Sequence, residues 1–193
     1  MRLYPLLARW AAVAALAAIA PLASAGTTVL NFDDLSTVDT LPAGYGGLDW
    51  SASGWLSFDG SGTAYTPHSG NNLVTLSWDG SDANSLIRFK QAAVFDGAWF
   101  SGYAEGDVTF KLYYQGQLVG SSATLLASAT PSFLASGHAG LVDAVAVSSS
   151  GHAFYAMDDF SFTTAAVPEP ASQALLLVGL GAIGLIARRR RAA

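Results

Sequence analysis

Two pairs of adjacent aspartates, Asp33-Asp34 and Asp158-Asp159, are the most concentrated chemistry in this chain. Carboxylates are hard oxygen donors of the kind Ca2+ gathers in sets of roughly six to eight. The four aspartates are therefore candidate ligands of a structural Ca2+. Each pair lies beside aromatic strand-forming residues, in VLNFDDL and YAMDDFSF, so the same side chains serve equally well to end strands and discourage edge pairing. If the first and last strands pair, the two aspartate pairs come close together. The stretch DGSDANS, with Asp79, Asp82 and Asn84, also spaces oxygens. It lacks the glutamate of an EF-hand loop and reads first as a turn.

Aromatic side chains are the second resource. Sugar rings stack on exposed aromatic faces, and Tyr45, Trp50, Trp55, Tyr65, Trp78 and Trp99 are the candidates. Large aromatics dominate cores, which claims most of them. Tyr45 and Tyr65 are favoured as a glycan platform because Gly and Pro neighbours place them in loops. For catalysis the inventory is thin. His68, His138 and His152 stand in loop-like sequence with no HExxH spacing, and no GxSxG elbow occurs. A glycosidase needs two carboxylates with opposed pKa values, and Glu105 is the only glutamate before the tail. The chain is expected not to be an enzyme.

The elements that must position these residues are strands. In DVTFKLYYQGQLVG, Val108, Phe110, Leu112 and Tyr114 alternate with Thr109, Lys111 and Tyr113, and Gln115-Gly116 supplies a turn. In AFYAMDDFSFT, Phe154, Ala156, Phe160 and Phe162 are expected on one face, with Asp158 as the exception. Further strands are predicted at 28–32, 55–58, 73–78, 85–90, 94–103 and 141–147, separated by Gly, Asn, Asp and Ser clusters. Many short strands without a convincing helix predict an all-β fold, an antiparallel β-sandwich of jelly-roll type. No cysteine is present, so packing alone must hold it, and thiolate sites are excluded.

Charge divides the chain into three. Residues 26–165 carry thirteen acidic and three basic side chains, a net charge of −10, whereas six of the nine basic residues lie at the ends. That field repels phosphate backbones and argues against nucleic acid as a partner. At the front, Arg2 and Arg9, an apolar run from Trp10 to Ala20, and Ala23-Ser24-Ala25 make a signal peptide over 1–25, cut by signal peptidase before Gly26. At the back, 171–187 is uncharged and roughly 26 Å long as a helix, just enough to span a bilayer. Arg188, Arg189, Arg190 and Arg191 pin its end on the cytoplasmic side. The Gly-Leu-Gly-Ala-Ile-Gly at 179–184 lacks the following helix and acidic residue of a dinucleotide site. Ahead of the span, Pro168-Glu169-Pro170 is stiff and extended, the form in which proteases read substrates.

The order Pro168-Glu169-Pro170, then a short Leu- and Gly-rich span, then a terminal arginine cluster resembles the PEP-CTERM sorting signal, over about the last 27 residues. The resemblance implies an exosortase-like membrane protease as partner, removal of the tail, and an association with exopolysaccharide or biofilm. The expected organisation is a signal peptide at 1–25, an exported β-sandwich at 26–165 and a sorting signal at 166–193. The protein then crosses the inner membrane, is held there transiently, and passes to the envelope surface or matrix. A structural or adhesive role is expected for the sandwich. A glycan-binding module, a secreted hydrolase and a permanently tethered single-pass protein are the alternatives.

Overall fold

The structure is a computed structural model that describes residues 26–35, 38–52, 54–76, 84–103, 106–149, 154–164, 178–181 and 188. One compact unit, Ala25–Ala165, carries every strand among the described residues. In chain order these are β1 (Thr27–Leu30), β2 (Asp39–Thr40), β3 (Leu48–Asp49), β4 (Leu56–Asp59), β5 (Asn72–Thr75) and β6 (Asn84–Gly102). There follow β7 (Asp107–Tyr114), β8 (Gln117–Ser121), β9 (Leu125–Leu126), β10 (Ser132–Ala135), β11 (Leu141–Ser148) and β12 (Tyr155–Thr164). All pairings are antiparallel, in the order β2-β4-β5-β12-β6-β11-β7-β8, with β1 on β12, β3 and β10 on β6, and β9 on β7. The fold is all-β and sandwich-like, as the patterning predicts.

The β7–β8 hairpin shows how directly the sequence acts. Val108, Phe110 and Leu112 are buried, while Lys111 between them is exposed. Gln115 and Gly116 both take positive φ, 51° and 74°, the two-residue turn whose twist matches the flanking strands.

The segments predicted at 85–90 and 94–103 form one 19-residue strand instead, because Gln91-Ala92-Ala93 contains no breaker. β6 consequently serves two layers. Its first half pairs with β11 and β3, and its second half with β10 and β12. On one edge β11 gives way to β10 between Val94 and Gly97, whose φ is 145° and where a Cβ would lie 2.2 Å from the Leu134 carbonyl oxygen. Only glycine lets β10 approach so closely.

Aromatic rings from several strands meet in the core. Phe95 of β6 lies 4.7 Å from Phe160 of β12 and 4.8 Å from Phe110 of β7, and Trp50 packs edge-on against Trp55 and Phe160. β12 departs from the predicted alternation. Tyr155 and Met157 enter this core ahead of the aspartates, and Phe160 and Phe162 enter it after them. Ala156 faces the other way, into a small cluster with Phe58 and Leu73 under Tyr65. The cause is a bulge at Asp158-Asp159, where the register with β6 shifts and Asp159 takes φ 45°. One extra residue reverses which parity faces inward. Phe154 and Ala156 therefore do not share a face with Phe160 and Phe162.

Outside the strand-bearing unit, residues 178–181 and 188 are helical. The expected signal peptide with Ala23 and Ala25, the Pro168-Glu169-Pro170 motif, most of 171–187 and Arg189 to Arg191 lie outside the described residues. Among the described residues no helix is long and apolar enough to cross a membrane.

Candidate functional site

β1 and β12 pair with Leu30 opposite Phe160, so the two aspartate pairs sit at the same end of this ladder, as the sequence suggested. What brings them together is the loop between β4 and β5. Asp33 Oδ1 accepts the N–H groups of Asn71 and Asn72 at 2.9 and 3.1 Å. Asp158 Oδ2 accepts those of His68 and Ser69 at 2.8 and 2.9 Å. Gly70, at φ 48°, lies against the Asp33 carboxylate where any Cβ would overlap it. Asp159 holds the side chains of the same loop, with Oδ2 2.6 Å from His68 Nδ1 and Oδ1 accepting from Ser69 Oγ at 2.9 Å. Asp34 instead accepts the Tyr45 hydroxyl at 2.6 Å.

These carboxylates thus receive N–H and O–H donors. Among the described residues no group of three or more His, Asp or Glu side chains could hold a metal ion. Asp158 is buried, and burial pushes its carboxyl up to about 6, with the N–H bonds pulling the other way and the Asp159 charge adding to the rise. Burial, together with the bond to Asp34, raises the Tyr45 phenol well above its ordinary value.

The clamp fixes an aromatic surface. The His68 ring lies flat on Trp99 at 3.5 Å between centroids and 11° between planes, and its side chain is 37% exposed. Phe133, opposite Trp99 in the β10–β6 register, adds a 43% exposed ring at 5.6 Å. Just past the end of β6, Tyr103 is 50% exposed and meets Tyr65 and Phe154 edge-on at 5.4 and 5.8 Å. Aromatic rings held in this way offer C–H and π surface at low entropic cost. Ser69 Oγ donates to Asp159 and not to His68, so no hydroxyl–imidazole–carboxylate relay is assembled here.

Tyr65 and Trp99 belong to this aromatic group, each half-buried. Tyr45 does not. Its ring stacks on Phe32 at 5.6 Å, it packs against the main core, and its hydroxyl is tied to Asp34. Trp50 and Trp55 are core residues whose indole N–H groups reach the Tyr45 carbonyl and Ser85 Oγ. Trp78, Asp79, Asp82, Glu105 and His152 lie outside the described residues. The local sequence does not mark His68, Tyr103 or Phe133 as surface partners. Only the alternation in PSFLAS hinted at Phe133, and nothing local marks a histidine whose carboxylate partner is 91 residues away.

The fold and its surface define a sandwich-like all-β protein with a clamped aromatic surface around His68 and Trp99. Residues 166–191 match the PEP-CTERM protein-sorting motif, which marks exported proteins sorted to the cell surface. Among solved structures, the chain is similar to the K2 cleaved adhesin domain of Lys-gingipain, at 15% identity and a TM-score of 0.42, over 72% of this chain and 100% of that one. It is also similar to variants of CBM29-2, a family 29 carbohydrate-binding module. One gives 13% identity and a TM-score of 0.42 over 73% of this chain and 92% of that one. Another gives 12% identity and a TM-score of 0.40 over 72% and 93%. No curated protein matches the chain.

Proposed function

We propose that this is an exported envelope or matrix protein, handed by its C-terminal signal to an exosortase-like protease, whose sandwich works by adhesion and not by catalysis. The match of 166–191 to the sorting motif carries the reading. In it, signal peptidase removes 1–25, the span holds the protein briefly in the inner membrane, and processing near Pro168-Glu169-Pro170 releases it. The test is intact-mass measurement on envelope fractions from cells making the parent chain and a Pro168→Ala/Pro170→Ala variant. The parent is expected to lack the Arg188 to Arg191 tail and the variant to retain it. A tail on the mature parent refutes processing and leaves a permanently tethered protein.

A second reading, a glycan-binding module, is favoured by one observation, the Phe133 and His68 rings held exposed around Trp99. Retention on polysaccharide columns that is lost in Phe133→Ala would support it. Turnover of a glycan or ester by the purified protein would instead favour a hydrolase.

A further inference from the structure

Residues 26–165 hold only three basic side chains, Arg88, Lys90 and Lys111, and the fold gathers them. Across the β6-β11-β7 layer, Arg88 is in register with Ala144 and Ala144 with Tyr113; one step on, Leu86 is in register with Ala146 and Ala146 with Lys111. Residues in register share a face, so small side chains form a floor between long ones. The result is a groove of about 730 Å³, continued along the floor by Ser148. Its walls stand two strand spacings apart, roughly 10 Å. Lys90 follows Arg88 two residues along β6, on the same face.

The carboxylates at the groove are already engaged. Asp143 accepts the Gln115 N–H at 2.6 Å. Asp49, paired with Arg88 across β3, accepts Ser51 N–H and Oγ at 3.0 and 2.5 Å. The bonds to Ser51, with the Arg88 and Lys90 charges, hold the Asp49 carboxyl below its usual range. Among the described residues Arg88 and Lys111 form no salt bridge. A guanidinium fork and an ammonium thus face a shallow channel on a domain that is otherwise strongly acidic.

We propose that this groove binds a carboxylate-bearing polysaccharide. The planar fork of Arg88 matches a carboxylate in two parallel hydrogen bonds, and Lys111 supplies a second positive charge. The floor of Ala144 and Ala146 lets a sugar ring lie close, and Tyr113 and Ser148 offer hydroxyls to its own hydroxyl groups. The net charge of −10 opposes any polyanion, so binding here needs the carboxylate fork and the ring contacts together, and nucleic acid, which binds chiefly through its phosphate charge, is the less favoured occupant. The inference rests on the reading that the sandwich works by binding, but on residues separate from the aromatic surface and the sorting signal.

Calorimetry of the full chain in a non-ionic detergent tests it, with hexagalacturonate and the neutral cellohexaose as probes. Hexagalacturonate is expected to bind, more weakly as salt rises, and cellohexaose at least tenfold more weakly. Arg88→Ala and Lys111→Ala each weaken the acidic sugar about tenfold, and Arg88→Lys falls between Arg88→Ala and the parent. Both side chains are exposed, so the variants are expected to fold, which near-ultraviolet circular dichroism verifies. Val29→Ala, at an exposed position on β1 outside the groove lining, leaves the acidic sugar unaffected. Equal affinity for the two sugars, indifference to Arg88→Ala and Lys111→Ala, or no binding at millimolar hexagalacturonate overturns the proposal. Equal or tighter binding of a hexaglutamate peptide or a single-stranded hexanucleotide also overturns it, because the groove then reads charge without sugar.

Discussion

Deleting Asp159 removes one residue from the bulge that reverses the facing of β12. Without it, strict alternation from Tyr155 and Met157 passes Asp158 on the outer face and brings Phe160 and Phe162 to the inner one, so both rings stay in the core. Both rings are now buried, at 0% and 4% exposure. Expelling both rings would cost about 6–10 kcal/mol, at about 3–5 kcal/mol for each as for Phe→Ala, and the deletion avoids that cost. Domains of this size are stable by only about 5–15 kcal/mol in total. Asp159→Gly is the control, because glycine accepts the positive φ at this position without strain. It loses only the side-chain bonds to His68 and Ser69, worth about 2–3 kcal/mol together. Urea and thermal unfolding followed by tryptophan fluorescence reads both variants, since Trp50 and Trp55 are buried. Both variants are expected to keep a cooperative transition at a similarly lowered midpoint, because the deletion also gives up the bonds to His68 and Ser69. Loss of the cooperative transition in the deletion alone would refute the parity argument.

Two further perturbations follow from the same geometry. Asp158 has its folded-state carboxyl raised from 3.8 to about 6, so its proton is held more tightly in the folded than in the unfolded chain. That contribution is fully present below about pH 4 and is lost as pH rises through about 6, up to about 3 kcal/mol at ~1.4 kcal/mol per unit. Denaturation of parent and Asp158→Asn from pH 4 to 7 is expected to show this slope in the parent alone; parallel curves would disprove it. Gly97→Ala places a methyl 2.2 Å from the Leu134 carbonyl oxygen and is expected to cost about 2–4 kcal/mol. An unchanged urea midpoint would show that β10 can withdraw.

What the residue order decided by itself is local. Period-two alternation in β7, the positive-φ turn at Gln115-Gly116, the absence of breakers between 85 and 103, and the segregation of arginines to the termini are all legible because each acts over a few residues. The fold class and the sorting motif followed from such signals. Tertiary structure decided which of several equivalent residues meet. Asp158 and Asp159 read as strand-ending or ligand carboxylates, but the loop 68–72 made them hydrogen-bond acceptors and the bulge made them the point where β12 turns over. Tyr45 and Tyr65 looked alike in their Gly- and Pro-flanked settings, yet one was drawn against Phe32 and the other toward Tyr103. Arg88 and Lys111 share a groove only because β11 lies between their strands. Such meetings depend on long-range register, and register is set by the packing of the whole core.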